Sequence, residues 1–189
     1  MATVGTFQAT ERMIADVSNV LRSGRISYGT KSREFEQRVA ALHQCEYGVL
    51  SNSGTSSLQV ALQTLKETHG WEDGDEVIVP ALTFVATVNI VLHCNLKPVL
   101  VDIEPDLYGI NPEFIKNAIT DKTRCIIPVH LFGRPCYIAE VCEIARWHDL
   151  KMIEDSCEAM FVERHGKSVG AWGDIGSFFD RDWETSRRE

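Results

Sequence analysis

Apolar residues recur at a helical period at the start of the chain. Phe7, Met13, Ile14, Val17, Val20 and Leu21 fall on one stripe, the spacing of an amphipathic helix. Ser23-Gly24-Arg25 and Tyr28-Gly29-Thr30 break it, since glycine and small polar residues punctuate regular structure. A second helical stretch is expected from Ser32, its N-cap, with Phe35, Val39 and Leu42 on one face. From Tyr47 onward short apolar runs alternate with longer periodic segments. The expected strands are 47–50, 76–79, 98–101, 125–129 and 151–153. The expected helices are 55–66, 83–92, 112–119 and 138–147, with Pro112 in a first turn. Repeated strand–helix units of this size predict an α/β fold, a mostly parallel sheet flanked by helices on both faces. The crossovers are expected to be right-handed.

The 189 residues suffice for one such domain, and 44% hydrophobic with 24% charged residues is ordinary globular composition. The formal net charge of -8, with no Lys/Arg cluster against it, disfavours nucleic acid as a partner. The apolar runs are too short to span a bilayer, so no membrane partner is expected. Residues 1–8 lack the pattern of a signal peptide, which makes the cytoplasm the expected compartment. Six cysteines (45, 94, 125, 136, 142, 157) form no CxxC pair and match no zinc spacing. They read as free, mostly buried thiols, and no metal site is expected. The last ten residues (DRDWETSRRE) are charged and aperiodic, the composition of a solvated tail.

Four segments follow strands and so lie where open parallel sheets bind ligands. Ser51-Asn52-Ser53-Gly54-Thr55-Ser56-Ser57 opens a helix; helix N-termini offer unpaired N–H groups and a positive dipole end to an anion. Without a ligand it is a Ser-rich cap. It is neither a P-loop nor a GxGxxG turn. In Pro80-Ala81-Leu82-Thr83-Phe84-Val85-Ala86-Thr87, Phe84 either stacks on a flat ring or belongs to the core. In Ile153-Glu154-Asp155-Ser156-Cys157-Glu158, a buried acid can pair with a protonated ring nitrogen, or the segment is a solvated turn. His130, in Pro128-Val129-His130-Leu131-Phe132-Gly133, either touches a ligand or is structural.

These motifs occur in one order. With Gly24-Arg25-Ile26-Ser27-Tyr28-Gly29, Glu34-Phe35-Glu36, Gly74-Asp75-Glu76-Val77-Ile78-Val79-Pro80 and Gly173-Asp174-Ile175-Gly176-Ser177-Phe178, the chain resembles the DegT/StrS family of nucleotide-sugar aminotransferases over roughly residues 20–178. The resemblance implies the large domain of a pyridoxal-phosphate (PLP) enzyme of fold type I. It implies that Gly54, Thr55 and Ser56 hold the cofactor phosphate and that Phe84 stacks on the pyridine. Asp155 pairs with the ring nitrogen, and Glu158 lies near the ring oxygen. It also implies nucleotide-linked keto sugars as substrates, glutamate as amino donor and a homodimer for the full-length parent.

The sequence departs from the family after Phe178. There the family carries a phosphate-binding Ser and, five residues later, the Schiff-base Lys. Those positions are Phe179 and Glu184; a carboxylate forms no imine and Phe has no hydroxyl. Lys167 reads as a solvated hairpin residue, and Lys151 lies at the far edge of the sheet. Residues 1–178 are thus expected to be the N-terminal part of the large domain, and 179–189 a non-homologous charged tail. The family chain runs on for about as long again, so the sequence reads as truncated or frame-shifted and as inactive in transamination. The alternatives are part of a nucleotide-sugar 3-dehydratase, whose family position for Lys is His, and a non-catalytic protein binding PLP or a nucleotide sugar. A plain Rossmann-like nucleotide module is disfavoured by the missing glycine fingerprint.

Overall fold

The computed structural model describes residues 9–179. In chain order the elements are helices α1 (Glu11–Arg22), α2 (Thr30–Leu42) and α3 (Gly54–His69), strand β1 (Glu76–Pro80), α4 (Val85–His93), β2 (Lys97–Val101), α5 (Pro112–Ala118) and β3 (Thr123–Ile126). A 3₁₀ turn (Leu131–Gly133), α6 (Ile138–Trp147), β4 (Lys151–Asp155), the short strands β5 (Glu163–Arg164) and β6 (Lys167–Ser168), and β7 (Ile175–Ser177) follow. Five strands form one sheet in the order β2-β1-β3-β4-β7, with all neighbours parallel. The α/β class is as the periodicities predict.

Burial follows the strand alternation. Val77, Val79, Cys125, Ile127 and Ile153 pack with Leu58, Leu62, Ile90 and Val91 of α3 and α4. Ile78, Ile126 and Met152 face the opposite way, onto Ile115, Ile138 and Val141 of α5 and α6. All of β1 is buried, as a strand covered on both faces must be. Each fully buried Leu or Ile side chain contributes about 1.5–3 kcal/mol relative to exposure. Chain direction across the sheet reverses between β1 and β3, because β2 lies on one side of β1 and the later strands on the other. Crevices at such reversals, beyond the carboxyl ends of the strands, are where open sheets bind ligands.

Several boundaries differ from expectation. No strand forms over 47–50; Tyr47 and Val49 are about four-fifths exposed. A strand needs a paired strand for its backbone groups, and among the described residues none pairs with this segment, which packs against the α2 backbone at Glu36. The Leu50 N–H instead donates to Glu36 Oε1 at 2.8 Å. Ser32 lies inside α2, whose N-cap is Gly29. Strand β3 stops at Ile126, before Pro128, which has no N–H for a ladder; Val129 makes one isolated parallel bridge to Asp155. The apolar stripe of α1 (Phe7 lies outside the described residues) buries no residue fully: Met13 and Val20 are half-buried, and Ile14, Val17 and Leu21 are exposed. Lys167 does sit in a hairpin, β5–β6, turned through His165 and Gly166 at positive φ. Its Nζ lies 5.2 Å from the Trp172 ring centroid. Among the described residues no helix is long and apolar enough to cross a membrane, and all six cysteines are free.

Candidate functional site

The start of α3 is the first wall of the site. Ser53 caps it, its hydroxyl accepting from Ser56 N–H at 3.1 Å, and Ser53 Oγ lies 3.1 Å from Ser56 Oγ. The first amides of a helix have no intrahelical carbonyl partner. Gly54 is buried, Ser56 half-buried and Thr55 exposed. A Cβ on Gly54 would lie 2.7 Å from Cys157 Sγ and 3.3 Å from Phe179 Cβ. Only glycine lets the helix start approach this closely. Phe179 therefore lies beside the cradle, whereas Glu184 and the charged residues 180–189 lie outside the described residues.

The second wall is the start of α4. Phe84 is its N-cap, with the ring 66% exposed rather than in the core. One turn on, Thr87 is fully buried. Its hydroxyl lies 2.9 Å from that of Thr83 and donates to Asp155 Oδ2 at 2.8 Å.

Asp155 ends β4 and is 5% exposed. Its backbone is clamped to the segment that follows β3: its N–H donates to Pro128 O at 2.9 Å and its C=O accepts from His130 N–H at 3.0 Å. Its Oδ1 accepts from Cys157 N–H at 3.2 Å. Among the described residues each carboxylate oxygen thus receives one protein donor, while two oxygens together offer about four lone-pair sites. Glu158 is exposed; its Oε2 accepts from Phe132 N–H at 2.8 Å, which ties the 3₁₀ turn after β3 to the loop after β4. Phe132 has φ 55°, a left-handed conformation unusual for a bulky residue.

The adjacent acid does different work. Glu154 is fully buried and faces the opposite way, accepting from the N–H groups of Gly170 (2.8 Å), Trp172 (2.6 Å) and Gly173 (2.8 Å). His130 settles as structural: it is fully buried, Nδ1 accepts from Cys136 N–H at 3.2 Å, and Nε2 lies 3.1 Å from Glu154 Oε2. An acceptor at Nδ1 puts the neutral imidazole's proton on Nε2, directed at Glu154. Cys157 Sγ sits 3.7 Å from Ser177 Oγ, and burial pushes its thiol pKa up, away from thiolate chemistry. Lys151, at the opposite end of β4, pairs with Asp174 at 3.1 Å.

Contacts thus link Ser56 and Gly54 through Cys157 to Asp155, and Asp155 through Thr87 to the helix turn that carries Phe84. Glu158 borders them. The arrangement can seat an anion on a helix start, a flat ring against Phe84 and a cationic N–H on Asp155. Thr83 and Thr87 were legible only as part of a motif. The signal that could have singled them out is two hydroxyl residues four apart at a helix start, flanking an aromatic N-cap.

Residues 8–180 match the DegT/DnrJ/EryC1/StrS aminotransferase family. The chain is 37% identical over 168 residues to UDP-N-acetyl-3-dehydro-alpha-D-glucosamine 3-aminotransferase of Acidithiobacillus ferrooxidans, covering 89% of this chain and 42% of that protein. An aminotransferase from Psychrobacter cryohalolentis superposes with TM-score 0.85 at 36% identity, over 90% of this chain and 43% of the other. The E. coli GDP-4-keto-6-deoxy-D-mannose-3-dehydratase with bound hydrated PLP superposes with TM-score 0.86 at 27% identity, over 93% and 46%. The chain spans less than half the length of these relatives.

Proposed function

The chain belongs to the DegT/DnrJ/EryC1/StrS aminotransferase family, and from that premise we propose that residues 54–158 carry the cofactor wall of a nucleotide-sugar aminotransferase. The reaction proposed for the whole enzyme moves an amino group from glutamate to a keto sugar linked to a nucleoside diphosphate. PLP is the cofactor the family implies. The residues present fit it. Gly54, Thr55 and Ser56 would hold its phosphate, on a helix start kept open by a glycine that no other residue can replace without clashing. Phe84 would cover the ring face, Asp155 would pair with the ring nitrogen, and Glu158 would lie near the ring oxygen. When bound, PLP supplies an electron sink; the role of Asp155 is to keep the ring nitrogen protonated. The observation that carries this reading is the buried Asp155 carboxylate, held at both oxygens beside the Ser53-capped helix start.

Phe179 and Glu184 stand where the family resemblance calls for a phosphate-binding Ser and an imine-forming Lys. We infer that this polypeptide by itself does not complete a transamination cycle. A second reading, a nucleotide-sugar 3-dehydratase, is supported by the E. coli neighbour; the higher identity to aminotransferases favours the first. A non-catalytic protein binding PLP or a nucleotide sugar fits the same cradle. A homodimer and a cytoplasmic setting belong to the proposal for the full-length protein.

The test is binding of pyridoxamine 5′-phosphate, which forms no imine with surface lysines, followed by its fluorescence. The intact chain should bind saturably. Asp155→Asn should weaken binding about tenfold or more, the scale of a hydrogen bond to a charged group. No saturable binding, or equal binding by the variant, would overturn the reading.

A further inference from the structure

Resting on the cofactor reading above, we propose that Thr87 is a positioning residue: it fixes the plane of the Asp155 carboxylate so that one lone pair faces the cofactor's ring nitrogen. The geometry is a chain of two hydroxyls, with Thr83 Oγ1 2.9 Å from Thr87 Oγ1 and Thr87 Oγ1 2.8 Å from Asp155 Oδ2. An ionised carboxylate only accepts hydrogen bonds. Thr87 must then donate to Asp155, its own oxygen is left as the acceptor, and Thr83 donates to it. The direction of the whole chain follows from the charge on Asp155. At the other oxygen the donor is the Cys157 N–H, at 3.2 Å. Two donors from two different segments, one on each oxygen, hold the side-chain torsion that a single donor would leave loose.

The placement along the chain adds a second consequence. Thr87 is the third residue of α4 and Phe84 its N-cap, and Thr87 N–H donates to Phe84 C=O at 3.0 Å. One helix turn therefore presents both the ring that would cover the cofactor's face and the hydroxyl that holds the acid at its edge. Any shift of this turn moves both contacts together. Thr87 is fully buried, so its hydroxyl does not itself reach solvent or a ligand from the open side; it acts through Asp155.

The experiment compares Thr87→Val, which keeps the shape and removes the hydroxyl, with Thr87→Ser, which does the reverse. The first readout uses the cofactor-free chain: the Cys157 backbone amide in a ¹⁵N–¹H spectrum and its hydrogen exchange. Thr87→Val should shift that amide and speed its exchange, because the carboxylate is free to turn; Thr87→Ser should leave it near wild type. The second readout is pyridoxamine 5′-phosphate labelled with ¹⁵N at the ring. Wild type and Thr87→Ser should hold the ring nitrogen in its protonated shift range. Thr87→Val should move it toward the unprotonated value and weaken binding roughly tenfold. A Thr87→Val protein that matches wild type in both readouts overturns the inference while leaving the cofactor reading intact, as does equal loss in both variants, which marks a packing role only. A Cys157 amide that responds as expected in a chain that binds no pyridoxamine 5′-phosphate supports the hold on Asp155 and overturns the cofactor reading instead.

Discussion

Lowering the pH from 7.5 to 4.5 should destabilise the fold through one histidine. His43 caps the C-terminal end of α2 and is 1% exposed. Its ring stacks against Phe161 at 5.3 Å and lies 4.0 Å from that of Phe178. Nδ1 lies 2.9 Å from Ser168 Oγ, while the buried Nε2 has no hydrogen-bond partner among the described residues. Burial without a carboxylate partner disfavours the imidazolium and brings the pKa down to about 4. The unfolded chain, near 6.5, therefore binds more protons between those two values, and stability rises with pH across that window. It is complete above about pH 7 and is lost as pH falls through the unfolded value toward about 4. The full gap corresponds to about 3 kcal/mol, and about 2.5 kcal/mol of it should be gone by pH 4.5. Against a total of roughly 5–15 kcal/mol for a domain, that is large. Carboxylates contribute their own pH dependence, so the measurement is a difference. Urea unfolding of wild type and His43→Phe is followed at both pH values, the phenyl ring keeping the aromatic stack and removing the titration. Wild type should lose about 2.5 kcal/mol more than the variant. A difference that stays within about 0.5 kcal/mol between the two pH values would refute the burial argument.

Two further outcomes follow from close packing and buried charge. Gly54→Ala should weaken binding of pyridoxamine 5′-phosphate, because the new Cβ meets Cys157 Sγ at 2.7 Å. Adding Cys157→Ala should recover part of the loss, whereas a double variant no better than the single one would place the cost elsewhere. Glu154→Ala should cost about 3–5 kcal/mol in urea unfolding, since it strips the acceptor from three backbone N–H groups and His130 at once; a cost under about 1 kcal/mol would contradict the hub assigned to it.

The helices and central strands were legible because their apolar periods match their burial: Leu58, Ala61, Leu62 and Leu65 mark the inner face of α3 as plainly in the sequence as in space. Partner-dependent features were not. The 47–50 segment has the residues of a strand, but pairing is decided by neighbours that local composition does not reveal. The two acids at 154 and 155 looked equivalent in one dimension. Alternation along a strand puts them on opposite sides, and that alone gives Glu154 to the loop at 170–173 and Asp155 to the ligand edge. His43 was invisible as a sensitive group, since its stacking partners lie more than a hundred residues away. Phe84 could be placed at the ligand edge but not on either side of the surface; its exposure comes from being an N-cap, one residue before the helix turns inward.

The backbone clamp on Asp155 has a bearing on how the site would respond to a ligand. Its amide and carbonyl are both engaged by Pro128 and His130, in the segment after β3, and its carboxylate is braced from two further segments. An arriving molecule would meet an acid already in place and would spend little of its interaction energy on ordering it. Differences in affinity among ligands at this edge should then reflect the fit of the ligand itself, with the ordering cost nearly constant from one to the next.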